Sequence, residues 1–159
     1  MKARTLIRLV AGCLALAAMA DSCGPTVTIE NKTSFEISAI IGNKGTETVL
    51  SPSPGESSYA VVQQDAYVVT VIPKDEWLTH AKATRQFLND QLANPDQLTG
   101  PQLLEVVKRL KDIALRMKAF EDAAKGGDAS CVGILDDQHS AAVVTVTSLP
   151  DGKLKAACK

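Results

Sequence analysis

Toward its C-terminal end the chain reads Asp136-Asp137-Gln138-His139. Two carboxylates beside an imidazole are the ingredients of a metal site or a general acid–base pair, since both groups bind divalent cations and exchange protons. On that chemistry Asp136, Asp137 and His139 would serve a small extracytoplasmic hydrolase or metal-dependent enzyme. The simpler account is a solvated loop. The four residues lie between two strand-like stretches, where Asp is a turn residue in its own right. A second spacing is Glu76 and His80, four apart, which places both on one face of a helix at metal-ligand distance. The second helix-borne histidine of an H-E-x-x-H site is missing, and Asp75 and Glu76 suit a first helical turn through the macrodipole. No serine stands in a G-x-S-x-G elbow, and no G-x-G-x-x-G or phosphate loop is present. No cofactor and no catalytic residue is expected.

The four cysteines carry the remaining chemistry, and their meaning depends on the N-terminus. Lys2, Arg4 and Arg8 precede an uncharged run from Leu9 to Ala20. Twelve residues make a helix of about 18 Å, too short for a bilayer core of about 30 Å. Ala18-Met19-Ala20 puts small residues at the −3 and −1 positions of a signal-peptidase site, so residues 1–20 are expected to be a secretory signal peptide. Export into an oxidising space makes disulfides available. Cys23 then sits where a bacterial lipoprotein carries its lipid, although Asp21 and Ala20 before it fit a lipobox poorly. Lipid anchoring at Cys23 and free export both stay open.

After cleavage Cys23, Cys131 and Cys158 remain. Cys131 with Cys158 is the expected disulfide, and Cys23 is the rival partner for either. The pairing constrains the fold. In a simple meander of the last three strands, five or six residues at about 3.3 Å would hold Cys131 and Cys158 roughly 17–20 Å apart. A disulfide needs Cα atoms within about 7 Å. Either the first of these strands crosses to another sheet, or Cys131 precedes it on a loop that folds back.

The elements that must position these residues follow from period. Val27–Asn31, Phe35–Ile41, Thr46–Leu50, Ser57–Gln63 and Tyr67–Ile72 alternate or run β-branched, with turn chemistry at 31–34, 42–45 and 51–55. Tyr67–Ile72 is apolar on both parities, which predicts a central strand. The period then changes. Trp77, Ala81, Thr84, Leu88 and Leu92 mark one helical face, and Val106, Leu110, Ile113, Met117, Phe120 and Ala124 a second. Asn94-Pro95-Asp96 separates them, Thr99 with Gln102 is a capping-box signature, and Gly126-Gly127 ends the second helix. Strand patterns return at Val132–Leu135, Ala142–Thr147 and Lys153–Ala157, the last two joined by a turn at Leu149-Pro150-Asp151-Gly152.

The expected class is α+β: an antiparallel β-sandwich of about eight strands, immunoglobulin-like, with an inserted two-helix hairpin at about 74–126, in one domain spanning 21–159. The strand Val27-Thr28-Ile29, Asn31-x-Thr33, the turn Pro54-Gly55-Glu56-Ser57 and the strand Tyr67–Val71 resemble the opening of exported bacterial immunoglobulin-like domains. That resemblance implies a sandwich in the cell envelope and brings no functional residue with it.

Charge narrows the partners. Lys+Arg is 17 against 18 Asp+Glu, and three of the basic groups lie in residues 1–20. A nucleic-acid surface is therefore not expected. Lys108, Arg109, Lys111, Arg116 and Lys118 form a basic run in the second helix, and Lys108, Lys111, Lys118 and Lys125 share a face. Such a face meets an anionic surface or an acidic partner, or is simply solvated. Asn31-Lys32-Thr33 matches the glycosylation acceptor. The sequence points to a non-catalytic extracytoplasmic binding module. Its partner would be an envelope protein or ligand, and it would touch the membrane only through a lipid at Cys23.

Overall fold

The structure is a computed structural model and describes residues 24–159. The signal peptide, its cleavage site and Cys23 lie outside the described residues. Eight strands form two four-stranded sheets, ordered β4-β1-β7-β8 and β3-β2-β5-β6. The strands are β1 (Thr26–Asn31), β2 (Ile37–Asn43), β3 (Thr46–Leu50), β4 (Ser57–Val61), β5 (Ala66–Pro73), β6 (Ala129–Ile134), β7 (Ala141–Ser148) and β8 (Leu154–Cys158). Alternation of burial shows why they form sheets. Val27 and Ile29 of β1, Ile37, Ala39 and Ile41 of β2, Tyr67, Val69 and Val71 of β5, and Val144 and Val146 of β7 all point into one apolar core.

Pairing is antiparallel except for one ladder. β1 runs parallel to β7, with Thr26 opposite Ala141 and Asn31 opposite Val146. This corrects the expectation of an all-antiparallel architecture. Parallel neighbours need a long crossover, and here most of the domain lies between them. The β2–β3 turn is the two residues Lys44-Gly45, tighter than the 42–45 turn expected. Both have positive φ, 48° and 77°, the geometry that follows the twist of a hairpin.

The chain changes sheet between β1 and β2, between β3 and β4, between β4 and β5, and between β6 and β7. Two buried asparagines hold the first three of these crossings. Asn31 is fully buried. Its Nδ2 donates to Phe35 O at 2.9 Å and to Pro52 O at 3.0 Å, and its Oδ1 accepts from Thr33 N at 2.9 Å. Its backbone adds Asn31 N to Glu56 O and Gly55 N to Asn31 O. One side chain thus ties the β1–β2 and β3–β4 connections together. Asn43 does the same for the β4–β5 connection, donating to Gln63 O and Ala66 O and accepting from Gln63 N. Asn31 is therefore a structural carboxamide, closed to glycosylation in the folded chain.

β5 and β6 are adjacent and antiparallel, with Val71 opposite Ala129. The helices α1 (Asp75–Ala93) and α2 (Gly100–Gly126) sit between them, joined by a 3₁₀ turn at Pro95–Gln97. They extend one hairpin connection and leave the sheet order intact. The Gln102 carboxamide accepts from both N and Oγ1 of Thr99, so the capping residues read from sequence start α2. Phe35, Trp77 and Phe120 weld the hairpin to the sheets, with ring centroids 5.4–6.0 Å apart. The Arg116 guanidinium lies over Trp77 at 5.4 Å while Arg116 Nε donates to Ser34 O at 2.7 Å. Leu110 and Ile113 are only half-buried. Ala123, rather than the expected Ala124, closes the C-terminal end of the buried face. There α2 turns from α1 toward the β7–β8 turn: a Cβ on Gly152, at φ 88°, would stand 2.6 Å from Asp122 Cβ.

The Cys131–Cys158 disulfide is present, with Cα atoms 5.8 Å apart. The first strand of the C-terminal trio has crossed sheets: β6 belongs to one and β8 to the other. The bond pins two edge strands across the core.

Two outcomes follow in urea denaturation. Asn31→Ala should lower stability by roughly 2–4 kcal/mol, because it leaves Pro52 O without its donor and Thr33 N without its acceptor, while Phe35 O keeps the Thr33 hydroxyl. Replacing both Cys131 and Cys158 by Ser should cost about 3–4 kcal/mol, the chain-entropy value for a loop of this length.

Candidate functional site

The acidic loop follows from its anchors. Leu135 is buried, and its N–H donates to Asp65 O at 3.0 Å. The next residues close a tight turn in which Asp136 N donates to His139 O and His139 N to Asp136 O, each at 3.2 Å. Asp136 Oδ1 accepts from Gln138 N at 2.9 Å and His139 N at 2.8 Å, and lies 3.0 Å from His139 Nδ1. The His139 ring and these N–H groups hold the Asp136 carboxyl below the usual carboxylate range. Asp137 takes a different direction: its Oδ1 accepts from Gln64 Nε2 at 2.9 Å.

The two carboxylates and the imidazole therefore do not converge. His139 lines a recess of about 150 Å³ with Tyr67, Ile134 and Cys158, and neither carboxylate is part of that lining. Glu76 and His80 are both exposed on the first turns of α1. Among the described residues no three His, Cys, Asp or Glu side chains gather into a metal-binding group. What Asp136 does chemically is fold the loop, as an acceptor for two backbone N–H groups.

The basic helix divides by role. Arg116 is spent on Trp77 and Ser34, and Lys118 is paired with Asp122, which raises the ammonium pKa and lowers that of the carboxyl. Lys108 and Lys111 belong to none of the ion pairs on α2, which are Arg116–Asp112 and Lys118–Asp122. They share the solvent side with Leu104 and Leu115, which are 72% and 61% exposed. Leu104, Lys108, Lys111, Leu115 and Lys118 succeed one another by four, three, four and three residues, opposite the buried stripe of Val106, Ile113, Met117 and Phe120. α2 therefore has two apolar-bearing faces, one packed and one bare. The distal half of the hairpin is separate from the main core: Leu88 and Val106 are buried, yet neither joins the cluster centred on the sheets.

A further surface escaped the sequence. The outward side of the β3-β2-β5-β6 sheet carries Val49, Val68, Val132 and Ile134, between 44% and 70% exposed. The signal was visible in β5 and β6, which are apolar on both parities. That pattern belongs to strands covered on both faces, and here one face has no cover among the described residues.

In comparison with known proteins, the chain matches no protein-family model, no curated protein and no solved structure.

Asp136 supplies the pH test. A carboxyl whose folded pKa is depressed stabilises the fold above the ordinary carboxylate range, and that contribution is lost as pH falls through the lowered value. In NMR titration Asp136 should protonate below the ordinary carboxylate range, and His139→Ala should move it back toward the ordinary value.

Proposed function

We propose that this chain is a non-catalytic binding module, exported to the bacterial cell envelope, with an immunoglobulin-like sandwich as its platform and the helical hairpin as its contact arm. The observation that carries the proposal is the bare side of α2, where Leu104 and Leu115 flank Lys108 and Lys111. A helix retained only to close a core needs one apolar stripe. This one keeps a second, which begins at Leu104 in the part of the hairpin that adds nothing to the main core.

The layout supports the same reading. β1 begins at Thr26, opposite Val61 and Ala141, while the hairpin leaves from Pro73, opposite Ile37. The strand direction puts these at opposite ends. A lipid on Cys23 would attach the chain at one end and leave the hairpin free at the other. The face, with its two lysines between the two leucines, suits a partner whose acidic patch lies between apolar ones, since the charges steer encounter and the leucines hold the contact.

The test is chemical cross-linking in envelope extract, comparing the native chain with a Leu104→Ser, Leu115→Ser, Lys111→Glu variant. All three positions are exposed, so circular dichroism should be unchanged. A partner captured by the native chain should fall at least about tenfold with the variant, the loss expected when central apolar contacts and a charge are removed together. Equal capture by both would remove the hairpin as the contact.

A further inference from the structure

We propose that the outward face of the β3-β2-β5-β6 sheet is a self-association surface, and that two copies of this chain pack these faces together. The outward strand positions are Ser38, Ile40 and Gly42 of β2, Glu47 and Val49 of β3, Ala66, Val68, Thr70 and Ile72 of β5, and Ser130, Val132 and Ile134 of β6. The apolar ones are contiguous. Val68 stands opposite Val132, Ala66 opposite Ile134, and Ile40 opposite Val49. Only Glu47 is charged, and it sits on the free edge strand β3. Exposed valines scattered singly on a surface need no explanation, whereas a contiguous bare patch with a polar margin marks an interface.

A second copy fits this face for three reasons. First, its centre offers neither charge nor hydrogen-bonding side chains beyond Ser and Thr, so a charged or strongly polar ligand has nothing to pair with. Second, the charges at its two ends are already neutralised within the chain, Lys74 with Glu36 at one end and Lys44 with Asp65 at the other. Two copies therefore meet without like-charge repulsion, and a two-fold axis along the strands sends the two Glu47 to opposite margins. Third, the size is that of a weak interface. Four strands about 4.8 Å apart and about 20 Å long give a footprint near 20 Å square. Burying it on both copies removes about 800 Å² in total, the range of weak, transient contacts rather than of standard interfaces. Half-association belongs in the micromolar range. The contact is isologous, with each copy supplying the same residues.

The full chain is the material for the test. Sedimentation equilibrium from about 1 to 500 µM brackets the affinity expected for an interface of this size. The mass should rise from one chain toward two, and raising salt from about 0.1 to 1 M should not reverse it, because screening acts on charges and this face has almost none. Val68→Lys and Val132→Lys, both at exposed positions, should leave the circular dichroism and melting temperature unchanged. Each should weaken association at least about tenfold, since each forces an ammonium into an apolar contact. Thr145→Lys on the other sheet should change nothing. A single-chain mass at every concentration overturns the proposal. So does a dimer that survives the lysine variants, or one that salt dissolves, because either would place the contact elsewhere.

Discussion

The carboxamide of Asn31 is the interaction on which the rest of the fold depends. A chain that weaves between two sheets must turn its backbone inside the margin of the core, and every buried carbonyl there needs a donor. Asn31 supplies two donors and one acceptor from a single side chain, which only Asn or Gln can do. It satisfies Phe35 O, Pro52 O and Thr33 N together. Phe35 is also the aromatic against which Trp77 and Phe120 pack. The polar tie and the docking of the hairpin are thus one assembly: fixing the β1–β2 corner fixes the ring that receives both helices.

Around that corner the fold divides into parts of unequal firmness. The sheets share a single core and are locked by Asn31, Asn43 and the Cys131–Cys158 bond. The proximal hairpin shares that core through Trp77, Ala81, Met117, Phe120 and Ala123. The distal hairpin rests on its own small contact of Leu88 and Val106, outside the main cluster. Few buried apolar contacts mean a low free energy of local opening, and binding segments are often drawn from such regions.

Much of this was legible in the sequence, because alternation and helical spacing report which face of an element is apolar. β3 was bounded correctly, both helices and their stops were located, and the capping pair Thr99–Gln102 was identified. The distance argument for Cys131 and Cys158 left a strand that changes sheet or a loop that folds back, and β6 takes the first route. What period cannot report is the neighbour. Nothing in Val27–Asn31 says that β7 lies beside it in parallel, and nothing in Asn31-Lys32-Thr33 separates a surface turn from a buried hub. Stepping by four from Phe120 picks Ala124, while the residue three on, Ala123, is the one the core buries. At the acidic loop the residue types were right for chemistry. Direction decided otherwise, since Asp137 turns to Gln64.

The parallel ladder of β1 with β7 sets an order of events. Glu30 meets Thr145, 115 residues further along the chain, and such pairings are costly to close and slow to form. β1 at the N-terminal end of the domain cannot complete its sheet until nearly the whole chain is available, and β8 arrives later still. A chain made from its N-terminus holds its first strand without one of its two neighbours until β7 follows, so closing this sheet is among the last steps open to the fold.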